Sequence, residues 1–427
     1  MKSKKRTARC ACQNKSSWVW TLSSFSLLFL SRAAEAQQAI APPPPSAATT
    51  EPVWQQTETN QFEVFSPAGT AASSSLNQPF QIGPVTVRPH LLDRFFYATG
   101  LPLSPGNQQN TAIEEFSPGI AFDIGTHWTL DYTPTLRFYS NHNFEDEFDN
   151  AITLTGATAY EDWNFGFSQS YASSDSPNIQ TGAQTSQEIY LTALTASYAF
   201  NSKMSLDMGL YQNLQFTEDF QSSRDWSTME WLNYQFWPRF NVGIGAGAGY
   251  VNVDVGPDQT YEQAAGRINW RATDKISFKL NAGYEDRQFL SNGAGDLLSP
   301  TFGATIQYQP FEVTQISLNA NRSETPSYFQ DQVSENTSIN CDLNQRLLGR
   351  YYLDLNAGYN ITKYDASTIV GSANPDNDYY SFCARLSRSF LKRGTLAIFY
   401  QYSGNSSAEP GFTYSGSQVG IEIGYKY

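Results

Sequence analysis

Long apolar segments are almost absent from this chain of 427 residues. A helix needs about 20 consecutive, predominantly apolar residues to cross a bilayer. The longest apolar-rich run extends only from Trp18 to Leu30, and the mean hydropathy of the whole chain is −0.44. The sequence therefore predicts no membrane-spanning helix.

Residues that carry catalysis or bind metals are also scarce. The three histidines, His90, His127 and His142, lack the paired spacing of a metal site or a catalytic triad. There is no G-x-S-x-G elbow and no phosphate-binding loop. The sequence predicts no enzyme, no cofactor and no metal site.

Basic side chains are outnumbered by acidic ones. The chain has 27 Lys and Arg against 40 Asp and Glu. Seven of the basic residues and one acidic residue lie within the first 36, which leaves a net charge of −19 on the remainder. This balance argues against nucleic acid as a partner.

The first 36 residues have the organisation of a secretory signal. Five basic residues between Lys2 and Arg9 precede the apolar run, and Ala34 to Ala36 form a small-x-small cleavage site. We expect a signal peptide over residues 1–36 and a mature chain that begins at Gln37. A membrane-anchoring helix is the alternative, and the short apolar run disfavours it.

Residues 37–80 differ in composition from the rest of the chain. Pro42 to Pro45 form a polyproline run, which is followed by Ser, Thr, Ala, Gln and Asn with few aliphatic residues. We expect a disordered, Pro/Ser/Thr-rich periplasmic leader over 37–80. Whether Phe62 and its neighbours fill a lumen stays open.

Alternating apolar and polar residues dominate the chain from Gly83 onward, within a composition that is 15% aromatic. Period-two alternation predicts strands with one apolar face. We expect an all-β fold for residues 81–427, with about 18 strands and 16 as the alternative. The predicted strand centres are residues 88, 119, 133, 154, 167, 194, 210, 232, 246, 267, 280, 304, 317, 341, 356, 384, 398 and 420.

The predicted connectors alternate between short and long. Eight short turns and nine long loops predict a transmembrane antiparallel up-and-down β-barrel with both termini periplasmic. The long loops lie near 100–112, 141–149, 173–186, 217–225, 254–260, 288–299, 322–334, 364–377 and 404–413. Aromatic residues lie beside the short turns, where an interfacial girdle is expected: Trp128, Trp163, Phe200, Phe236, Trp270, Phe311, Tyr351, Phe390 and Tyr425.

The last nine residues, Val419 to Tyr427, form the clearest strand. One face is apolar and ends on an aromatic residue: Val419, Ile421, Ile423, Tyr425 and Tyr427. This pattern resembles the C-terminal signal of porin-like outer-membrane β-barrels of Gram-negative bacteria. We expect the strand to close the barrel by pairing with Val85 to Pro89, with Glu422 and Lys426 beside Arg88.

The resemblance implies a location and partners. It implies the outer membrane of a Gram-negative bacterium, contact with its lipid and lipopolysaccharide, and assembly by the outer-membrane barrel-insertion machinery. A homo-oligomer stays open. The loop carboxylates of Glu145, Asp146, Glu147 and Asp149 are either ligands for divalent cations that bridge lipopolysaccharide or solvated charges.

Charged residues on the polar parity are predicted to line the lumen. They are Arg137, Arg267, Arg271, Lys279, Arg346, Arg385, Asp123, Asp131, Asp207, Asp342, Asp354 and Glu422. Eighteen strands enclose more space than side chains fill. We therefore expect passive diffusion of small hydrophilic solutes through a porin-like channel. The alternative is a non-conducting structural barrel associated with surface polysaccharide export or attachment.

Four glycines interrupt the polar face of one predicted strand. Gly243, Gly245, Gly247 and Gly249 occupy consecutive lumen positions. Missing side chains allow a sharp bend or the close approach of another segment. In the second case, the hypothesis is that an infolded loop or the leader around Phe62 fills the groove.

The two cysteines outside the signal peptide are predicted to be free. Cys341 shares a face with Ile339, which predicts an outward thiol, whereas Cys383 shares a face with Arg385, which predicts an inward one. Their strands are also separated by a third strand. A disulfide between them is therefore not expected.

Overall fold

The computed structural model describes residues 80–178, 182–218, 220–290, 296–327, 332–366, 376–390 and 393–426. The predicted signal peptide, the leader before Phe80 and the terminal Tyr427 lie outside these residues. Within the described part of the chain, no helix has the length and apolar character needed to cross a bilayer.

Eighteen antiparallel strands in the described residues form one closed barrel. Each strand pairs with the next along the chain, and the last pairs with the first. They are β1 (Val85–Ser104), β2 (Asn107–Ile124), β3 (Trp128–Tyr139), β4 (Glu147–Tyr160), β5 (Trp163–Ser174), β6 (Gln187–Asn201), β7 (Met204–Thr217), β8 (Ser223–Trp237), β9 (Phe240–Val253), β10 (Gln259–Arg271), β11 (Ile276–Phe289), β12 (Leu297–Phe311), β13 (Thr314–Pro326), β14 (Gln332–Leu347), β15 (Tyr351–Ala366), β16 (Asn377–Phe390), β17 (Gly394–Ser407) and β18 (Tyr414–Lys426). The all-β barrel of 18 strands is confirmed over the alternative of 16.

Three short elements accompany the barrel. Phe80–Ile82 pairs with the beginning of β1, and a small hairpin of Pro177–Asn178 and Ala183–Gln184 lies in the loop between β5 and β6. A single 3-10 turn, Pro410–Phe412, precedes β18. An even number of strands puts both ends of the barrel chain at one rim, and the periplasmic assignment of that rim stays a prediction.

The connectors alternate as predicted, with one exception. The segment 100–112 was expected to be a long loop, but β1 and β2 continue as a hairpin to a tight turn at Pro105 and Gly106. The reason is packing: Leu101 and Ile113 of this extension are buried in one cluster with Phe144 of the next long loop. Apolar burial therefore extends the two strands beyond the membrane-spanning length.

The outer surface of the barrel is apolar. Leu210, Ile244, Ile398 and Val419 are 58%, 69%, 56% and 56% exposed, and each lies on the outward parity of its strand. Large apolar side chains so exposed are those of a lipid-facing wall. Aromatic rings cluster beside the short turns, for example Trp163 and Tyr198 with ring centroids 4.7 Å apart.

The register between β2 and β3 has a gap at Pro118 and Pro134. Proline has no N–H to donate, so a ladder is interrupted where two prolines meet. The His90 ring of β1 lies against this gap. Its Nε2 is so close to Gly119 that a methyl group added there would be only 1.9 Å away. His90 Nε2 is also 2.9 Å from Thr133 Oγ1, so a side-chain contact bridges the interruption.

Cys341 and Cys383, the two cysteines among the described residues, are free. Cys341 is exposed on the outward face, whereas Cys383 is buried and only 7% exposed on the inward face. The parity prediction is therefore confirmed for both thiols.

The glycine row of β9 is covered by side chains of its neighbouring strands. A methyl group at Gly245 would lie 2.6 Å from the Trp231 ring, and one at Gly249 would lie 2.2 Å from the Tyr261 ring. Among the described residues, rings from β8 and β10 occupy the space expected for an infolded loop. The leader around Phe62 lies outside the described residues.

The predicted register of the closing strand is wrong by several residues. β18 pairs with β1 from His90 to Ala98, so Glu422 lies opposite Arg94 and not beside Arg88. The edge of β1 at Val85 to Val87 is occupied by Phe80–Ile82.

A glycine of the closing strand sets how closely it approaches β1. A methyl group at Gly420 would lie 2.4 Å from Phe96 Cβ and 2.5 Å from the Phe95 carbonyl oxygen, whereas the nearest atom to one at Gly424 is 3.9 Å away. We predict that Gly420→Ala destabilises the barrel by about 1–3 kcal/mol through overpacking. Gly424→Ala is the matched control and is expected to be nearly neutral. Urea unfolding of the refolded barrel, followed by heat-modifiable gel mobility, measures both, and equal stability of the two variants would contradict the prediction.

Candidate functional site: the charged inner wall

A row of alternating charges crosses the junction where the barrel closes. Glu422, Arg94, Glu115, Arg137 and Glu147 lie on β18, β1, β2, β3 and β4, and each is directly opposite the next in register. All five share the inward parity of their strands. We call this row the seam ladder.

The seam ladder is buried. Its five residues are between 1% and 4% exposed. Arg94 Nη1 lies 3.4 Å from Glu115 Oε1, and Arg137 Nε lies 3.4 Å from Glu115 Oε2. Arg94 Nε lies 3.9 Å from Glu422 Oε2, and Arg137 also contacts Glu147. Charges this deeply buried persist only when each has a partner, and the alternation supplies one on both sides of each arginine.

Two further residues lengthen the ladder at the β18 end. Arg385 Nη2 lies 2.5 Å from Glu422 Oε1, and Arg385 Nη1 lies 3.2 Å from Asp354 Oδ2. Arg385 belongs to β16, so its side chain must cross β17 to reach Glu422. The residue opposite Glu422 on β17 is Ala397, whose small side chain leaves room for this crossing.

Aromatic rings cover the middle of the ladder. The Arg94 guanidinium carbon lies 4.7 Å from the Phe399 ring centroid and 5.3 Å from that of Phe96. Both rings belong to a buried apolar cluster with Ile113, Tyr139 and other residues on the loop side of the ladder. The rings exclude water from Arg94 and add cation–π attraction.

Two long loops turn inward over the ladder. In the loop between β5 and β6, Ser176 Oγ donates to Glu147 Oε2 at 3.1 Å, and Gln184 Nε2 donates to Glu147 Oε1 at 2.8 Å. Phe144 of the loop between β3 and β4 stacks on Tyr139 with centroids 5.2 Å apart. The lumen beside β1 to β4 is therefore filled at its loop end.

The loop between β9 and β10 stays at the rim. Tyr250 donates its hydroxyl hydrogen to Asp258 Oδ2 at 2.6 Å, and Asn252 Nδ2 donates to Asp258 Oδ1 at 2.9 Å. The hydrogen bond from Tyr250 is the main reason why the pKa of the Asp258 carboxyl lies below its usual value. Because Tyr250 and Asn252 have outward parity, these bonds hold the loop away from the lumen.

A second polar cluster lies on the wall of β7, β8 and β10. Arg267 Nε donates to Asn233 Oδ1 at 2.8 Å, Asn233 Nδ2 donates to Asp207 Oδ2 at 2.8 Å, and Arg267 also pairs with Asp207. The Arg267 and Asp207 side chains are 12% and 22% exposed. This pair is therefore more accessible than any arginine of the seam ladder.

The other predicted lumen residues have varied surroundings near the short-turn end. Asp123 pairs with Arg88 at 2.6 Å, and Asp131 accepts a hydrogen bond from Thr133 at 2.9 Å. Asp342 accepts one from Ser317 at 3.0 Å.

Three cations lack an acidic partner. Arg346 Nη2 donates to the Gly349 carbonyl at 2.8 Å, in the short turn between β14 and β15. Arg346, Arg271 and Lys279 have no carboxylate within 4 Å among the described residues. Their positive charge is therefore not cancelled by the wall.

Parity analysis missed three ladder residues. Arg94 lies where the alternation of β1 is irregular, and Glu115 follows another acid, Glu114, so neither stood out. Glu147 was expected in a loop as a cation ligand or a solvated charge. It turns inward instead, as does Asp149, whose Oδ2 is 3.3 Å from Arg137 Nη1. In the described ranges, no group of three or more His, Cys, Asp or Glu could hold a metal ion.

No protein-family model matches the chain, and no curated protein matches it. Three similar solved structures are OccK2 (OpdF) and the outer membrane protein opdK, both of Pseudomonas aeruginosa, and OccAB2 of Acinetobacter baumannii. Each match covers 80% of this chain and 98% of the other chain. The sequence identity and TM-score are 10% and 0.44 for OccK2, 11% and 0.42 for opdK, and 11% and 0.43 for OccAB2. At such identities and TM-scores, the likeness does not bear on function.

We predict that Glu115→Gln destabilises the barrel by about 3–5 kcal/mol, because it leaves two buried arginines with one carboxylate fewer between them. Arg239→Gln is the control, since the Arg239–Asp274 pair of two short turns is 53% and 82% exposed, and exposed pairs contribute about 0–1 kcal/mol. Urea unfolding of both variants in lipid vesicles measures the difference. A loss for Glu115→Gln no larger than that for Arg239→Gln would contradict the role of the ladder.

Proposed function

We propose that the chain is an outer-membrane channel for passive diffusion of small hydrophilic solutes. The observation that carries the proposal is a closed 18-strand barrel with an apolar outer face and water-accessible polar residues inside. Thr153 and Asn281 have inward parity and are nevertheless exposed. A barrel of this size encloses more space than its side chains fill.

The opening is proposed to lie off-centre. The seam side is filled by the ladder, the apolar cluster and two infolded loops. The wall from β8 to β14, which we call the second wall, has buried inward side chains such as Val251, Tyr261 and Arg287 toward its loop end, but carries small or amide side chains such as Gly247, Asn281 and Asn319 elsewhere. Solutes would therefore pass along the second wall. This wall holds the cations Arg271 and Lys279, which favour anions locally.

The terminal strand supports a location in the outer membrane. Four residues of the C-terminal pattern, Val419, Ile421, Ile423 and Tyr425, lie on the outward face and are 42–56% exposed. An aromatic, outward-facing terminal strand is what the outer-membrane insertion machinery is expected to bind. Lipid and lipopolysaccharide would then contact the apolar wall.

A non-conducting structural barrel, associated with surface polysaccharide export or attachment, is the second candidate. The observation that favours it is the filled loop end beside β1 to β4, where Phe144 and Gln184 contact inward-facing residues. If the loops also close the second wall, solutes cannot pass.

The channel is tested in planar bilayers with purified full-length mature protein. We predict steady ohmic conductance for the wild-type protein. In Lys279→Gln and in Arg271→Gln, we predict a shift of the reversal potential toward cation preference, because each substitution removes from the lumen a positive charge that no nearby carboxylate neutralises. Arg388→Gln, on the outward parity of β16, is the control and should leave selectivity unchanged. An absence of conductance would favour the structural barrel, and equal shifts in all three variants would contradict the assignment of the second wall.

A further inference from the structure

The inner wall of β12 to β16 is uncharged on the loop side of Asp342. Among the described residues of these strands, the charged ones with inward parity are Asp342, Arg346, Asp354 and Arg385. All four lie at the level of Asp342 or nearer the short turns. Asp354 and Arg385 also neutralise each other, with Arg385 Nη1 3.2 Å from Asp354 Oδ2. A solute on the loop side of Asp342 therefore meets no charged residue on this wall.

Uncharged hydrogen-bonding side chains surround a glycine on this wall. Gly358 of β15 is directly opposite Asn340 on β14 and Ser381 on β16, and Asn319 of β13 is opposite Asn340. Three steps of about 4.8 Å between strands make the group about 14 Å wide, which is the length of a short oligosaccharide. With their inward-facing neighbours, these residues form what we call the amide patch: Asn319, Asn321, Ser338, Asn340, Gly358, Asn360 and Ser381.

The amide patch has a notch at Gly358. A methyl group added there would lie 2.7 Å from Asn340 Oδ1 and 2.8 Å from Ser381 Oγ, so both oxygens face the space of the missing side chain. Ser381 is only 6% exposed, and its hydroxyl has no hydrogen-bond partner. A hydroxyl can accept from an amide nitrogen and donate to an amide oxygen. Turning over a neighbouring amide therefore does not supply the missing partner.

The amides of the patch keep most of their hydrogen-bonding capacity. A side-chain amide has two N–H donors and a carbonyl oxygen that can accept two hydrogen bonds. Asn360 Nδ2 donates to Thr362 Oγ1 at 3.5 Å, whereas Asn319, Asn321 and Asn340 have no side-chain hydrogen bond in the part of the chain that the structure describes. A bond between two of these amides would use one of the four positions on each. The others face the lumen, because all three residues are only half-buried.

This chemistry matches a neutral solute that carries many hydroxyl groups. A sugar hydroxyl donates and accepts, as the amides and Ser381 do. An anion or a zwitterionic peptide would bring a charge that no residue of the patch can pair, and an unpaired charge is costly to remove from water. The charge at the border of the patch is negative: the Asp342 carboxylate accepts hydrogen bonds from Ser317 at 3.0 Å and Asn356 at 2.5 Å. It disfavours anions further.

We propose that the amide patch is a binding site for neutral saccharides, an inference that rests on the proposed channel and names its solute. One sugar hydroxyl lies at the notch and bonds to Asn340 and Ser381. The amides on either side bind the hydroxyls next to it. The patch begins on β13 and β14, at the edge of the second wall, so a solute that follows this wall comes into contact with it.

Calorimetric titration of the purified full-length mature protein in lipid nanodiscs tests the site. We expect saturable binding of maltotriose, a neutral trisaccharide, and at least tenfold weaker binding of trigalacturonate, an anionic one. Gly358→Ala is expected to weaken maltotriose binding at least fivefold, because its methyl group fills the notch. Gly166→Ala, on the inward face of β5, is the matched control, since its methyl group meets only the Thr195 side chain, and we expect wild-type affinity.

Three outcomes of this titration would overturn the proposal. The first is an absence of saturable maltotriose binding, the second is trigalacturonate binding at least as tight as that of maltotriose, and the third is the same maltotriose affinity in Gly358→Ala and Gly166→Ala. Conductance is measured separately in planar bilayers. Steady conductance without maltotriose binding would overturn the saccharide site and leave the channel, whereas binding without conductance would support the site and contradict the channel.

Ser381→Ala separates binding from a structural role. The substitution removes a buried hydroxyl that has no partner, so we expect the urea midpoint of unfolding to stay the same or to increase. Maltotriose affinity is expected to fall about threefold to tenfold, which is the contribution of one hydrogen bond. A lower midpoint with unchanged affinity would identify a structural hydroxyl and overturn the site.

Discussion

Mutual cancellation of buried charge across the closing strands is the interaction on which the barrel depends. Glu422 and Arg94 are directly opposite each other on β18 and β1, and each has a further partner of opposite sign. A slip of two residues would place Glu422 opposite Leu92 or Phe96, so that Glu422 and Arg94 would each lose one of their two buried partners. Removing a partner from a buried ion pair typically costs about 3–5 kcal/mol. The ladder therefore fixes one register where hydrophobic alternation alone allows several.

The same ladder makes the barrel asymmetric. Pairing with Arg137 draws Glu147 and Ser176 inward, and the two loops that follow β3 and β5 come with them. On the wall of β8 to β10, the Trp231 and Tyr261 rings pack against a glycine row and are themselves buried. The seam side is held by ion pairs, whereas this wall is held by rings that fill the space of missing side chains.

Local patterns allowed the strands, the side-chain parity and the free thiols to be predicted, because each depends on residues close together in sequence. The seam could not be predicted in the same way. Its register depends on contacts between residues far apart in sequence, above all Arg94 of β1 with Glu422 of β18. The partners of Arg137 likewise come from β2 and β4. The parity of a residue predicts that its charge faces inward, but only the register between neighbouring strands determines which charge it pairs with.

The order of the ladder along the chain has a consequence for biogenesis. Four of its five residues belong to β1 to β4, and the fifth, Glu422, lies in the last strand. In the closed barrel the Glu422 carboxylate lies between Arg94 of the first strand and Arg385 of β16 and contacts both. A polypeptide truncated before Glu422 would lack the one carboxylate that joins these two arginines. The final strand therefore completes an ion-pair network that begins at the other end of the chain, so closure of the barrel couples the last residues made to the first.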